Sequence, residues 1–399
     1  MRVLLAATST LPDRMGGSER VIWHLARGLS ARGHETRIVV PRTMRSLPRA
    51  SRIDGIAIAR YEDRFHSFAT LYLSSLRSAQ AAIREILRGW RPDAIHAHHG
   101  LSGLASSWAG GRPLHYTFHG PWHLEFLHDA ASRRNMPWPK RWTRWLWTPA
   151  KAGLARRIER AAVNRSERVV VLSTFSRRRV EEIHGVDASR TVLIPGGVDL
   201  ERFRPTADRR AARRSLGLPD DRTLLFTVRR LVPRMGLEGL LHALAALPDT
   251  SLVIGGSGWL RAAVEETAVG LGVAKRVHFA GFIPEEDLPR YYQAADVVVL
   301  PSVALEGFGL ITLEALACGT PVVATPESGA VDVLGPLEPA WLARDASPGA
   351  IAEAVRGALE RLADDPAIRE RCRAHACGYS WDRMVTAHET LYRSGRHAG

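Results

Sequence analysis

Leu300-Pro301-Ser302-Val303-Ala304-Leu305-Glu306-Gly307-Phe308-Gly309-Leu310-Ile311-Thr312-Leu313-Glu314-Ala315-Leu316-Ala317-Cys318-Gly319-Thr320-Pro321 runs from an apolar strand, through a glycine-bearing loop, into an apolar helix. The flanks, Val297 to Pro301 and Pro321 to Thr325, are short and β-branched, so the unit reads strand, loop, helix, strand, as in a parallel α/β sheet. Ligands of such sheets bind beyond the carboxyl ends of the strands. That rule puts Glu306 in a ligand-facing loop and Glu314 inside a helix that begins near Gly309. Amides at the helix start can hold a diphosphate, and two separated carboxylates can accept hydrogen bonds from sugar and ribose hydroxyls. The spacing of the two glutamates is common by chance; the residues around them make the pattern specific.

Working outward, similar runs recur. In the first half they are Val3 to Thr8, Thr36 to Val40, Ile56 to Tyr61, Ala94 to His98, Leu114 to Phe118, Val169 to Ser173 and Thr191 to Pro195. After the basic stretch Leu200 to Pro219, read as a linker, come Leu224 to Val228, Ser251 to Gly255 and Val277 to Gly281. Helix-period sequence fills most gaps, so an α/β protein with two parallel sheets is expected. A chain of 399 residues with 45% hydrophobic side chains also exceeds what one core usually organises. Gly255-Gly256-Ser257-Gly258 has the start of a dinucleotide-binding loop but lacks its third glycine, and no acid follows at a strand end, so a nicotinamide cofactor is not expected. Gly16-Gly17 precedes a helix start at Ser18-Glu19 and can bring amides close to an anion.

Composition narrows the classes. The formal charge of +14 is almost wholly arginine, since Lys140, Lys151 and Lys275 are the lysines. Such a field attracts nucleic acid, anionic headgroups or a diphosphate, and it also follows from arginine-rich codon usage. No helix-turn-helix, finger or RNA-binding signature appears, so nucleic acid is not expected as a partner. Cys318, Cys372 and Cys377 make neither a disulfide framework nor a zinc site. The start, Met1 to Pro12, is too short for a signal-peptide apolar region, and no 18-residue apolar run follows, so a cytoplasmic protein is expected.

Several ordered motifs together resemble the retaining glycosyltransferases of family 4, also called group 1. The stretch Glu306 to Glu314 looks like their E-x7-E signature, and Gly319-Thr320-Pro321-Val322-Val323-Ala324-Thr325 continues it. Ile194-Pro195-Gly196-Gly197-Val198-Asp199 resembles the family's entry into the donor domain, and Val228-Arg229-Arg230-Leu231-Val232-Pro233-Arg234-Met235-Gly236-Leu237 its basic phosphate-binding segment. The likeness runs from Gly16-Gly17 to about Tyr392. It implies the GT-B fold, two Rossmann-like parallel-sheet domains facing a central cleft. An acceptor-side domain is expected over 1–198, a nucleotide-sugar donor domain over 199–378, and a final helix, 379–399, crossing back to the first domain.

The resemblance also implies roles. Glu306 would bind hydroxyls of the donor sugar and Glu314 the ribose. The Gly307-Phe308-Gly309-Leu310 turn would offer amides to the diphosphate, with Gly16 and Gly17 approaching from the other domain as the cleft closes. Ile283 would sit against the base, His119 near the donor sugar, and Arg230 would neutralise the leaving diphosphate. The family's lysine five residues after that arginine is Met235 here, and Arg234 is read as the compensating charge. The implied enzyme is a retaining, metal-independent hexosyltransferase with no cofactor, using a nucleotide-diphosphate sugar as co-substrate and a hydroxyl acceptor. GDP-mannose and a UDP-hexose both stay open as donors. A phosphorylase or sugar-nucleotide epimerase of the same architecture and a catalytically silent sugar-binding or nucleic-acid-binding protein are the alternatives. Between Trp122 and Arg160, the run Pro137-Trp138-Pro139-Lys140-Arg141-Trp142-Thr143-Arg144-Trp145-Leu146-Trp147 suits peripheral contact with an anionic membrane, and equally a sugar- or lipid-binding wall or a packed excursion.

Overall fold

A computed structural model describes residues 1–14, 16–62, 71–131 and 140–394. The chain divides into two compact units, Met1–Gly196 with Trp381–Gly399, and Gly197–Ser380. The junctions thus fall at 196/197 and 380/381, against the expected 198/199 and 378/379.

Unit 1 is built on β1 (Arg2–Ala6), β2 (Glu35–Pro41), β3 (Ala50–Ile53), β4 (Ile56–Tyr61), β5 (Ala94–Ala97), β6 (Leu114–Phe118), β7 (Arg168–Val171) and β8 (Thr191–Leu193). They form one sheet in the order β3-β4-β2-β1-β5-β6-β7-β8. The central strands are buried on both faces, which is why Val3 to Ala6 and Val169 to Val171 read as unbroken apolar runs. Among the described residues of this sheet β3 alone pairs antiparallel, and it is the strand the sequence reading missed. Its signal was Asp54-Gly55 between Ile53 and Ile56: both turn residues have positive φ, 48° and 79°, as a two-residue hairpin requires.

The last helix, Trp381–Ser394, packs on the helix Gly17–Ala31 of the same unit. His24 and Trp381 stack with centroids 4.3 Å apart, and Arg32 donates to Glu389 at 2.9 Å. The helices approach so closely that a Cβ on Gly28 would lie 2.4 Å from Val385.

Unit 2 holds β9 (Thr223–Val228), β10 (Thr250–Gly255), β11 (Val277–Gly281), β12 (Val297–Leu300) and β13 (Val322–Ala324), all parallel, in the order β11-β10-β9-β12-β13. The stretch Leu200 to Pro219 is not the expected linker. It contains the helix Arg209–Ser215, capped by Asp208 and integrated into unit 2. The physical reason lies in its arginines: Arg209 and Arg213, one turn apart, both reach Asp296, at 2.9 and 2.6 Å.

The helix Lys140–Arg165 passes through the tryptophan-rich run. The side chains of 138–147, on which the membrane expectation rests, lie outside the described residues. Among the described residues no helix is long and apolar enough to cross a membrane.

Candidate active site

In unit 2 the chain leaves β9 toward β10 and β11 on one side and takes up β12 and β13 on the other, so the strand order reverses between β9 and β12. The crevice beyond the ends of two such strands is where open parallel sheets bind ligands. Arg229 follows β9 directly, and Pro301 to Glu306 follows β12. Across that point Arg229 Nη2 donates to Glu306 Oε2 at 2.6 Å. The two side chains are 4% and 21% exposed, so the arginine is enclosed while the carboxylate can still meet a solute. Burial pushes the Arg229 guanidinium down to about 10, with the Glu306 carboxylate opposing the shift and the neighbouring Arg234 adding to it; Arg229 is still a cation at neutral pH. Its Nε and Nη1 are buried and make no hydrogen bond among the described residues.

Close backbone contacts hold these loops. A Cβ on Gly256 would lie 2.0 Å from the Arg229 carbonyl oxygen, and one on Gly236 would lie 1.7 Å from that of Pro301, so only glycine permits either approach. Leu305, buried beside Glu306, has φ of 62°, a left-handed conformation that costs a branched side chain about 1–2 kcal/mol. Surrounding bonds hold it there. Arg234 Nη1 donates to the Leu305 carbonyl at 3.4 Å, Val303 N donates to the Arg234 carbonyl at 3.0 Å, and Gly329 N to the Glu306 carbonyl at 2.9 Å.

Gly307, Phe308, Gly309 and Leu310 continue from Glu306 into the helix Leu310–Ala317, with Gly309 as its left-handed N-cap. Phe308 and Leu310 are buried. Glu314 is a buried carboxylate on this helix and accepts from the Tyr292 hydroxyl at 2.7 Å. Ile283 is buried over Gly255, and Met235 is buried in the turn Pro233–Met235. Arg230 is exposed. Successive side chains of an extended segment face opposite ways, and here the inward one is Arg229. Sequence reasoning did not single out Arg229, although the Arg229-Arg230 doublet at a strand end marked the pair.

Unit 1 has its own reversal, between β1 and β5. Beyond β1, Gly16 caps the helix that starts at Gly17. The carboxylate of Glu19 folds back over this start, since a Cβ on Gly16 would lie 2.4 Å from Glu19 Oε2, and it accepts from Ser18 at 2.9 Å and from Ser9. The anion at this helix start is therefore the chain's own Glu19, a residue given no role by the sequence reading. Beyond β5 and β6, His98 Nδ1 and His119 Nε2 are hydrogen-bonded at 3.1 Å. Burial holds His119 down to about 4 against the opposing pull of Glu19, so its imidazole is neutral at pH 7 and offers one donor and one acceptor.

Two parallel-sheet units, one carrying a Glu–Arg pair at its strand reversal, define a protein of the GT-B class. Residues 208–376 match the model described as Glycosyl transferases group 1, and residues 15–202 match Glycosyltransferase Family 4. The D-inositol 3-phosphate glycosyltransferase of Acidothermus cellulolyticus is 30% identical over 430 residues, covering 98% of this chain and 90% of that protein. Its counterpart in Geodermatophilus obscurus is 34% identical over 319 residues, with 75% of this chain aligned to 66% of the relative's length. The chain belongs to glycosyltransferase family 4, the group 1 glycosyl transferases. Among solved structures, sucrose-phosphate synthase from Thermosynechococcus elongatus superposes with a TM-score of 0.82 at 24% identity, covering 99% of this chain and 100% of that one. Anabaena HepE in complex with UDP and glucose gives 0.75 at 21%, with 99% and 100% covered. At these identities the likeness concerns the fold.

Proposed function

We propose that this protein transfers a hexosyl group from a nucleotide-diphosphate sugar to an acceptor hydroxyl, with retention of anomeric configuration and without a metal ion. The observation that carries this reading is Glu306, partly exposed at the β9/β12 reversal, held by a buried arginine and followed directly by a helix start. Glu306 accepts hydrogen bonds from donor-sugar hydroxyls, the amides of Gly309 and Leu310 meet the diphosphate, and Glu314, oriented by Tyr292, meets the ribose. His119 donates one hydrogen bond to a sugar hydroxyl.

The bond from the anomeric carbon to the phosphate oxygen breaks as the acceptor oxygen bonds to the same face of that carbon, and the acceptor proton passes to the leaving phosphate. No separate base is needed. Negative charge grows on the diphosphate, where fixed guanidinium groups stabilise it most.

A nucleotide-sugar panel that includes GDP-mannose and UDP-glucose, screened by thermal shift, tests the reading, because a ligand that binds the native state raises the melting temperature. Transfer is then assayed with the stabilising donor in EDTA, and proton NMR of the product reads the anomeric configuration. The curated relatives make D-inositol 3-phosphate the first acceptor to try. If no nucleotide sugar shifts the transition, the reading fails. Turnover of the donor with inorganic phosphate, or with no acceptor at all, would assign a phosphorylase or an epimerase instead.

A further inference from the structure

We infer that Arg229 is a donor-binding residue whose Nε and Nη1 N–H groups take oxygens of the donor diphosphate while Nη2 holds the Glu306 carboxylate. The inference rests on the glycosyltransferase reading and gives a ligand-binding role to a residue that this reading used only to hold Glu306. The side chain is 4% exposed, and its three nitrogens divide unequally: Nη2 is bonded to Glu306, whereas buried Nε and Nη1 have no acceptor among the described residues. A buried cationic donor without an acceptor is costly, so such donors mark places where a ligand completes the bonding. The position suits an anion, since Arg229 stands at the strand reversal, beside Arg234 and opposite the loop that leads to the helix start at Gly309.

The geometry leaves the guanidinium little freedom. The Arg229 backbone is held by the packing of its carbonyl against Gly256, and the side chain is tied at Nη2 to Glu306. The planar fork can therefore bond two partners at once, joining the group that reads the sugar to the group that reads the phosphate. Diphosphate binding at Nε and Nη1 fixes the guanidinium, and through Nη2 it fixes Glu306 for the sugar. Arg230, exposed on the other side of the chain, has no such link.

The test compares Kd values for UDP and GDP with those for uridine and guanosine, by calorimetry or competition, in wild type and Arg229→Gln. Loss of the charged donors weakens the bound nucleoside diphosphate by about tenfold or more. Binding of the matching nucleoside stays within about twofold, whereas damage to the fold lowers both. The KM of the nucleotide sugar rises and kcat falls together, because the same contact serves the leaving group. If Arg229→Gln is not folded by circular dichroism, Arg229→Lys is measured instead; it keeps the charge, loses the fork, and weakens the diphosphate by about threefold or more. A folded Arg229→Gln, or in its place Arg229→Lys, that binds the diphosphate as wild type does overturns the inference alone. A wild type that binds neither UDP nor GDP overturns the glycosyltransferase reading and the inference with it.

Discussion

His96 and Tyr392 stand 296 positions apart in the chain, and the imidazole Nδ1 lies 2.6 Å from the phenolic oxygen. The bond ties the last helix to β5 inside unit 1. His96 Nε2 bonds Thr117 at 2.7 Å, and the rings of His98, His115 and His388 lie around it. Burial is the leading cause that holds His96, His98, His99, His115, His119 and His388 neutral, with His99, His115, His119 and His388 pushed down to about 4.

Acid should therefore unfold unit 1. These folded pKa values lie below the unfolded value of about 6.5, so the unfolded chain binds more protons between about pH 4 and 6.5, and stability rises with pH through that window. The contribution is complete above about 6.5 and is lost as pH falls. At pH 5 each fully buried imidazole of this kind forfeits about 2 kcal/mol. Thermal unfolding should show a Tm that drops steeply from pH 7 to pH 5. His115→Phe, which removes two buried ring nitrogens that lack partners among the described residues, should flatten the drop. A Tm independent of pH over this range would contradict the account.

Glu306→Gln should abolish most transfer, by about a hundredfold or more, while a cooperative unfolding transition survives. The amide still accepts from Arg229 but loses the charge. Transfer near the wild-type rate in a folded variant would remove Glu306 from the proposed site.

Arg234 and Met235 separate charge from packing. Arg234→Ala removes the donor to the Leu305 carbonyl and a cation beside Arg229, so it should lower both the Tm and nucleoside diphosphate affinity. Met235→Ala should cost stability, about 2–5 kcal/mol for a buried methionine, and affect the affinity less. The reverse order in the binding data would place Met235 against the substrate.

Tyr292→Phe tests Glu314 indirectly. Without the hydroxyl the buried carboxylate loses its 2.7 Å bond, and donor KM should rise several-fold with kcat little changed. An unaltered KM would argue that Glu314 is structural.

Peripheral membrane contact is proposed for the tryptophan-rich run. Wild type should sediment with anionic vesicles at low salt, less so as salt screens the arginines, and replacing Trp142 and Trp145 should weaken sedimentation without weakening donor binding. Absence of vesicle binding at low salt would make a soluble acceptor the favoured partner.

The parallel sheets were legible along the chain because strands buried on both faces must be apolar throughout, and Val297 to Leu300 or Val169 to Val171 admit little else. The helix start at Gly309 and the glutamates on either side of it were legible for the same local reason: a glycine-bearing loop followed by an apolar helix, buried along nearly its whole length, is read from one short stretch of chain. The antiparallel β3 is written in Asp54-Gly55 and was overlooked, and Leu200 to Pro219, which holds the helix Arg209–Ser215, reads as a linker because it is polar and basic along the chain. The partner of Arg209 and Arg213, Asp296, is far along the chain and meets them only after folding. The choice between Arg229 and Arg230 is of the same kind. Adjacent residues of identical chemistry differ only in which side of the backbone they occupy, and that side acquires meaning when β12 packs beside β9 and brings Glu306 within 2.6 Å of one of them.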